Sequence, residues 1–179
     1  MHLLFVCTGN TCRSPMAVGI ARRAIRERGL DWTVGSAGTF AIAGAPMAPH
    51  AAKALEKLGI GPIEHRSKPL TESLMQEADV IFTMTSSQAW ELRANYPFAF
   101  DKIHELGVYT TSKGAPLSES CDIVDPVGGS LTTYVECADT LVHFIEMAID
   151  KLAQTALGDA DGADGIDGVD GATDGGEKE

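Results

Sequence analysis

The chain has 179 residues, of which 44% are hydrophobic, and its formal net charge is −11. This length predicts one domain with a sizeable core, and the absence of a run of about 18 apolar residues excludes a membrane-spanning helix. The N-terminus lacks the charged and apolar regions of a secretory signal, and four irregularly spaced cysteines do not make a disulfide framework, so we expect a cytoplasmic protein with reduced thiols.

Strands and helices alternate along the predicted chain. In order, the predicted elements are strand His2–Val6, helix Met16–Arg28, strand Trp32–Ser36, helix Pro49–Leu58, strand Val80–Met84, helix Ser86–Asn95, strand Ile103–Leu106 and helix Leu131–Leu157. This alternation predicts an α/β fold in which a parallel sheet is covered by helices on both faces. Such sheets bind ligands beyond the carboxyl ends of their strands.

The C-terminal segment differs in composition from the rest of the chain. Residues 158–179 carry eight acidic residues and one lysine, a net charge of −7, which leaves −4 for the other 157 residues. An Asp-Gly-x repeat with few apolar groups predicts disorder, and its acids do not have the offsets of a calcium-binding loop. We therefore expect a domain over residues 1–157 and an acidic tail over residues 158–179.

The most informative segment is residues 7–15, Cys-Thr-Gly-Asn-Thr-Cys-Arg-Ser-Pro, which follows the first strand. A loop that enters a helix N-terminus directs backbone N–H groups and the positive end of the helix dipole at one point, where an anion binds. Gly9 allows a turn with positive φ and close approach of the backbone to a ligand, and Asn10 also tolerates the left-handed region and can hold the loop through side-chain hydrogen bonds. The predicted phosphate-binding residues are Thr8, Gly9, Asn10, Thr11, Cys12 and Ser14, together with Cys7 and Arg13.

These residue types suit phosphoryl transfer through cysteine. A helix N-terminus and a nearby cation favour the thiolate of Cys7, which is the nucleophilic form. Arg13 can hold two phosphate oxygens and stabilise the charge that spreads over them during transfer. Ser14 can donate a hydrogen bond to the sulfur and so help it leave in a second step. Because Arg13 and the loop amides supply positive charge, no metal or cofactor is expected.

Residues 7–17 resemble the signature of the low-molecular-weight protein tyrosine phosphatases. Further segments agree in order: Gly35–Thr39, His65–Ser67, Ala78–Met84 and Asp122–Pro126. The resemblance covers roughly residues 1 to 156. It implies a three-layer sandwich with a central four-stranded parallel sheet, and a phosphatase that acts on phosphorylated proteins, not on nucleic acid or membranes.

The resemblance also implies a general acid. The candidate is Asp125, which would protonate the leaving group and then act as base for water. Pro126 would stiffen its loop, and Gly128-Gly129 would let the chain turn into the last helix. Asp122, three residues earlier, is the rival; either could instead be a turn or cap residue.

Two positions depart from the tyrosine-specific pattern. Thr11 stands where that pattern has an apolar residue, and Val127 with Gly128-Gly129 stands where aromatic residues would stack on phosphotyrosine. This combination resembles the bacterial protein arginine phosphatases within the family, although those often carry Phe at position 127. It predicts phosphoarginine as substrate, with phosphotyrosine as the alternative and Thr11 and Val127 as specificity residues.

The cysteines other than the nucleophile suggest a redox role and two packing roles. Cys12 lies close enough along the curled loop to form a disulfide with an oxidised Cys7, which predicts reversible inactivation by peroxide. Cys121 and Cys137 are predicted to be packing residues.

Two further functions fit the sequence less well. Thioredoxin-coupled arsenate reductases share the loop, but residues 82–85 contain no cysteine of the relay pair that those enzymes use. An anion-binding module with a dead site would have lost Cys7, Arg13 or Asp125, and all three are present.

Overall fold

The computed structural model describes residues 1–111 and 121–161, with side chains up to residue 156. Its elements are β1 (His2–Cys7), α1 (Arg13–Glu27), β2 (Thr33–Gly38), α2 (Pro49–Lys57), α3 (Glu72–Glu77), β3 (Val80–Thr83), α4 (Ser86–Asn95), a 3₁₀ helix (Pro97–Lys102), β4 (Ile103–Glu105), α5 (Leu106–Thr110) and α6 (Leu131–Asp161). No helix in these described ranges is long and apolar enough to cross a membrane.

The four strands form one parallel sheet in the order β2-β1-β3-β4. The central strand β1 is buried on both faces because its side chains alternate between two cores. Leu3 and Phe5 pack with α1, α2 and α6 on one face, whereas Leu4 and Val6 pack with α3 and α4 on the other. This arrangement confirms the predicted three-layer fold.

Helix α6 lies along α1 in the same direction, and the two form the most extensive helix pair of the fold. Near their N-termini, the Tyr134 hydroxyl lies 3.3 Å from Cys12 Sγ. Near the C-terminus of α1, Arg28 Nε donates to Asp150 Oδ1 at 2.6 Å. The start of α6 is therefore held beside the segment that enters α1.

Several boundaries differ from the prediction. Helix α1 begins at Arg13, three residues before the predicted Met16, because Pro15 is accommodated within the first turn. Three short elements (α3, the 3₁₀ helix and α5) were not predicted, since five or six residues hold too little periodicity to reveal a helix. Helix α6 continues to Asp161, and residues 162–179 of the predicted tail lie outside the described residues.

Candidate active site

The loop between β1 and α1 curls around the buried side chain of Asn10. The sequence allows the left-handed backbone conformation at both Gly9 and Asn10, and the structure places it at Asn10, with φ of 54°. Asn10 tolerates this conformation because its short polar side chain bonds locally. Its Nδ2 donates to Ser14 Oγ at 2.8 Å and to Ser36 Oγ at 2.9 Å, and its Oδ1 accepts from Lys68 N at 3.0 Å.

The Cys7 sulfur lies at the carboxyl end of β1, 2.9 Å from Ser14 Oγ. Asn10 Nδ2 donates to Ser14 Oγ, which leaves the hydroxyl hydrogen of Ser14 available to donate to Cys7 Sγ. The Ser14 hydroxyl is therefore placed to contact any negative charge that develops on the Cys7 sulfur.

Arg13 is buried in the first turn of α1, and its guanidinium contacts the loop that precedes α6. Its Nη1 donates to the carbonyl of Ile123 at 3.1 Å, and its Nη2 pairs with Asp125 Oδ2. The buried Nε has no partner among the described residues. A buried N–H without an acceptor is costly, so this atom marks a place where a ligand oxygen would be bound favourably.

The loop that carries Asp125 is tightly turned. Asp125 Oδ1 accepts the backbone N–H of Val127 at 3.2 Å, Pro126 is buried, and Gly128 has φ of 77°, which lets the chain enter α6. The Asp125 side chain keeps 38% of its surface exposed. Both oxygens of this carboxylate are therefore held, Oδ1 by Val127 and Oδ2 by Arg13, while part of the side chain remains open to solvent.

Asp122, the rival acid, has a different position. Its Oδ1 accepts from the backbone N–H of Ser86 at 2.7 Å, at the first residue of α4. A carboxylate there interacts favourably with unsatisfied N–H groups and the helix dipole. Asp122 therefore joins its loop to α4, whereas Asp125 reaches Arg13.

A cavity of about 190 Å³ opens between the two loops. It is lined by Cys7, Thr8, Gly9, Thr11, Cys12, Arg13, Asp125 and Val127. These residues come from segments more than 100 positions apart and include most of the predicted site residues. Asn10 and Ser14 are buried behind the loop and support it from within.

Two residues outside the predicted site support the loop. His65 donates from Nε2 to the carbonyl of Asn10 at 2.7 Å, and Gly38 packs so closely that an added Cβ would lie 2.5 Å from the Thr8 carbonyl. The resemblance included both segments without assigning a role to either residue. Both residues contact the backbone of the loop, and such contacts leave no local sequence pattern. The only sequence signal for either residue was that its segment matches the family in order along the chain.

Burial lowers the pKa of His65 below its ordinary value of 6.5, and the nearby charges of Lys68 and Arg22 lower it further. The neutral ring with its hydrogen on Nε2 already satisfies the Asn10 carbonyl. Because the folded chain binds this proton less readily than the unfolded chain, the contribution of His65 to stability is present above pH 6.5 and is lost as the pH falls through the folded pKa.

The three remaining cysteines lie in different surroundings. Cys12 Sγ is buried, 3.3 Å from the Tyr134 hydroxyl, and burial together with this contact raises the pKa of Tyr134. Burial raises the pKa of Cys137 to about 12, which keeps that thiol protonated and suits a packing residue. Cys121 is half-buried, and its backbone approaches Gly107, where an added Cβ would lie 2.1 Å from the Cys121 carbonyl.

Comparison with known proteins agrees with the fold and the loop. Residues 2–159 match the family described as low molecular weight phosphotyrosine protein phosphatase. This chain belongs to that family. Members of the family are phosphatases, so the cavity at Cys7 is the candidate active site of a phosphatase.

Relatives that are named for different substrates have similar sequence identity to this chain. The chain is 36% identical to the protein-arginine-phosphatase of Bacillus subtilis over 85% of this chain and 97% of the relative. A crystal structure of a protein tyrosine phosphatase from T. tengcongensis is 39% identical, with a TM-score of 0.77, and covers 84% of this chain and 99% of that one. Sequence identity to these relatives therefore does not distinguish phosphoarginine from phosphotyrosine as the substrate of this chain.

A third relative bears on the chemistry. A structure of the arginine phosphatase YwlE as a C7S mutant contains a phosphorylated active-site serine. It is 35% identical to this chain, with a TM-score of 0.79, and covers 86% of this chain and 97% of that one. In that relative the side chain that replaces the cysteine accepts a phosphoryl group.

Proposed function

We propose that this chain is a protein phosphatase that hydrolyses phosphoarginine in proteins through a cysteinyl-phosphate at Cys7. The observation that carries the proposal is the wall of the cavity, where Thr11 and Val127 face the Cys7, Arg13 and Asp125 groups. No aromatic side chain lines this cavity within residues 1–111 and 121–161. The arginine phosphatases among the relatives support the same substrate class.

In the first step, the Cys7 thiolate attacks phosphorus from the floor of the cavity. The S–P bond forms as the P–N bond breaks, and the electron pair of that bond goes to the guanidine nitrogen. Asp125, open to the cavity, donates the proton that this nitrogen takes up. Arg13 and the loop N–H groups hold the phosphoryl oxygens, whose charge they stabilise during transfer.

In the second step, a water molecule attacks the cysteinyl-phosphate. Asp125, now a carboxylate, takes a proton from the water, and the S–P bond breaks with its electron pair on sulfur. The Ser14 hydroxyl stabilises the departing thiolate through the 2.9 Å contact. Phosphate then leaves, and the thiolate of Cys7 is ready for another cycle.

Substrate binding would change the ion pair of Arg13. Nε has no acceptor in the described residues, and Nη2 is paired with Asp125. A phosphoryl group held by Nε and Nη2 in the bidentate manner would take the place of Asp125 at the guanidinium. Asp125 would then be released toward the leaving nitrogen, where it is needed as acid.

The phosphotyrosine alternative uses the same steps but needs an apolar surface for the ring. Val127 is 68% exposed and has no flat face, so ring stacking is unavailable at this position. A phosphoguanidinium is flat and polar, and the Thr11 hydroxyl and the carbonyl oxygen of the Asp125 carboxyl group can both accept its N–H hydrogens. This chemistry favours phosphoarginine.

A comparison of substrates tests this choice. We expect kcat/KM for a phosphoarginine peptide to exceed that for a phosphotyrosine peptide of the same sequence. Thr11→Ile should move the ratio about tenfold toward phosphotyrosine, because a polar partner is lost and apolar contact is gained. Equal or better turnover of phosphotyrosine by the parent chain would reject the arginine assignment but leave the phosphatase intact.

A redox function of the same loop is part of the proposal. Peroxide would convert the Cys7 thiolate to a sulfenic acid with release of hydroxide. The Cys12 thiol would then attack that sulfur, forming a disulfide with loss of water, and a thiol reductant would restore both residues. This cycle requires a reducing compartment, for which we propose the cytoplasm.

We expect the parent enzyme to recover nearly all activity when dithiothreitol follows peroxide, and the Cys12→Ser variant to recover several-fold less. Without Cys12, the sulfenic acid is open to further, irreversible oxidation. Residual activity and the mass of the peptide with Cys7 measure the two outcomes. Cys137→Ser is the matched control, and equal recovery of Cys12→Ser and the parent would contradict the protective role.

A further inference from the structure

A basic groove lies between α1 and residues 59–68, and it shares no lining residue with the active-site cavity. It consists of two cavities of about 240 Å³ each, which share Arg22 and Ile63. Arg23 and Arg26 line one part, and Arg66 and Lys68 line the other. We define these five cations and Ile63 as the basic groove.

The positive charge of the groove is poorly balanced by the described acids. Arg23 pairs with Glu27 at 3.9 Å, and Glu64 is the acidic residue in the lining of the second cavity. Arg22, Arg26 and Lys68 have no ion pair with a described carboxylate. Arg22 and Arg26 also lie one turn apart on α1, where like charges repel.

We propose that this groove binds the acidic segment 162–179 of the same chain. That segment has six acidic residues and one lysine, a net charge of −5. Residues 1–70, which supply the whole groove, have nine basic and four acidic residues, a net charge of +5. The two opposite charges lie at opposite ends of a chain whose total charge is strongly negative.

The segment starts within reach of the groove. Asp150 lies beside Arg28, so α6 extends eleven residues, or about 16 Å, past that point to Asp161. Arg22 lies six residues back along α1, about 9 Å in the other direction. Eighteen further residues can span up to about 60 Å, which exceeds the resulting separation of about 25 Å along the helix axis.

The composition of the segment suits an exposed row of cations. Asp164, Asp167 and Asp170 recur every third residue, and each of these carboxylates is followed by a glycine. A polar groove with exposed guanidinium groups offers carboxylates bidentate partners. Charge complementarity therefore accounts for a segment that the phosphatase chemistry does not use.

Zero-length carbodiimide cross-linking of the full chain tests this proposal, because it joins lysine amines to carboxylates in contact. At low salt and low protein concentration we expect Lys68 to be the lysine most often joined to residues 162–179. The variant with Arg22→Gln and Arg26→Gln should lower this product about fivefold, since two surface cations of the site are lost. Salt at about 0.5 M should also lower it.

The matched control is the variant with Lys53→Gln and Lys57→Gln on α2, which removes two cations at the same spacing outside the groove and should leave the Lys68 product unchanged. Coupling of all lysines alike, or no effect of the arginine changes, would refute the proposal. So would products found only in cross-linked dimers, which would assign the contact to a second copy. Neither result depends on phosphatase activity.

Discussion

Cys7→Ser is expected to lower kcat by about 10⁵-fold for a phosphoarginine peptide and also for p-nitrophenyl phosphate. A serine hydroxyl is a much weaker nucleophile than a thiolate, and the alkoxide that it forms is a poorer leaving group than sulfur. The poorer leaving group slows only the hydrolysis that follows phosphoryl transfer to the serine. A phosphoserine should therefore accumulate slowly. Steady-state kinetics measure the loss, and intact mass spectrometry detects the added phosphoryl group.

The relative YwlE gives this expectation a structural parallel, since its C7S mutant contains a phosphorylated active-site serine. Cys137→Ser is the control, because Cys137 is a buried thiol outside the cavity and its loss should leave kcat within about twofold. Hydrolysis by Cys7→Ser at the parent rate would place the chemistry on another residue and contradict the proposed mechanism at its first step.

Asp125→Asn is expected to lower kcat for a phosphoarginine peptide by about 10³-fold, because the amide cannot donate a proton to the departing guanidine nitrogen. p-Nitrophenolate leaves readily without a proton, so the loss with p-nitrophenyl phosphate should be only about tenfold. A damaged site would lower kcat for both substrates by the same factor. A larger loss for the phosphoarginine peptide therefore identifies the loss of the acid. Parallel kcat measurements give the comparison.

Asp122→Asn provides the matched control for this prediction. It makes the same chemical change three residues away, at a side chain that accepts from the N-terminus of α4. We expect a lower melting temperature and kcat within about threefold of the parent. If Asp122→Asn lost activity with the leaving-group dependence given for Asp125→Asn, the roles of the two carboxylates would be reversed.

The strands and longer helices could be predicted because their signals are local. Residues 3–7 of β1 form an unbroken apolar run, and α4 extends over Ser86–Asn95 as predicted. The loop at Cys7 is also local, so its cysteine, arginine and serine could be predicted together as site residues. Short elements such as α3 could not be predicted, because one or two turns carry little periodicity.

The sequence by itself determined the α/β fold, the Cys7–Pro15 loop and the family, since all three depend on residues that are close together in the chain. Tertiary structure decided which acid faces Arg13: Asp125 meets it across 112 positions, while Asp122 meets α4. It also placed His65 against Asn10 and decided that Asn10, of the two residues that allow it, takes the left-handed conformation. Such contacts depend on how the strands pair and the helices pack on them, so local propensity and spacing do not encode them individually.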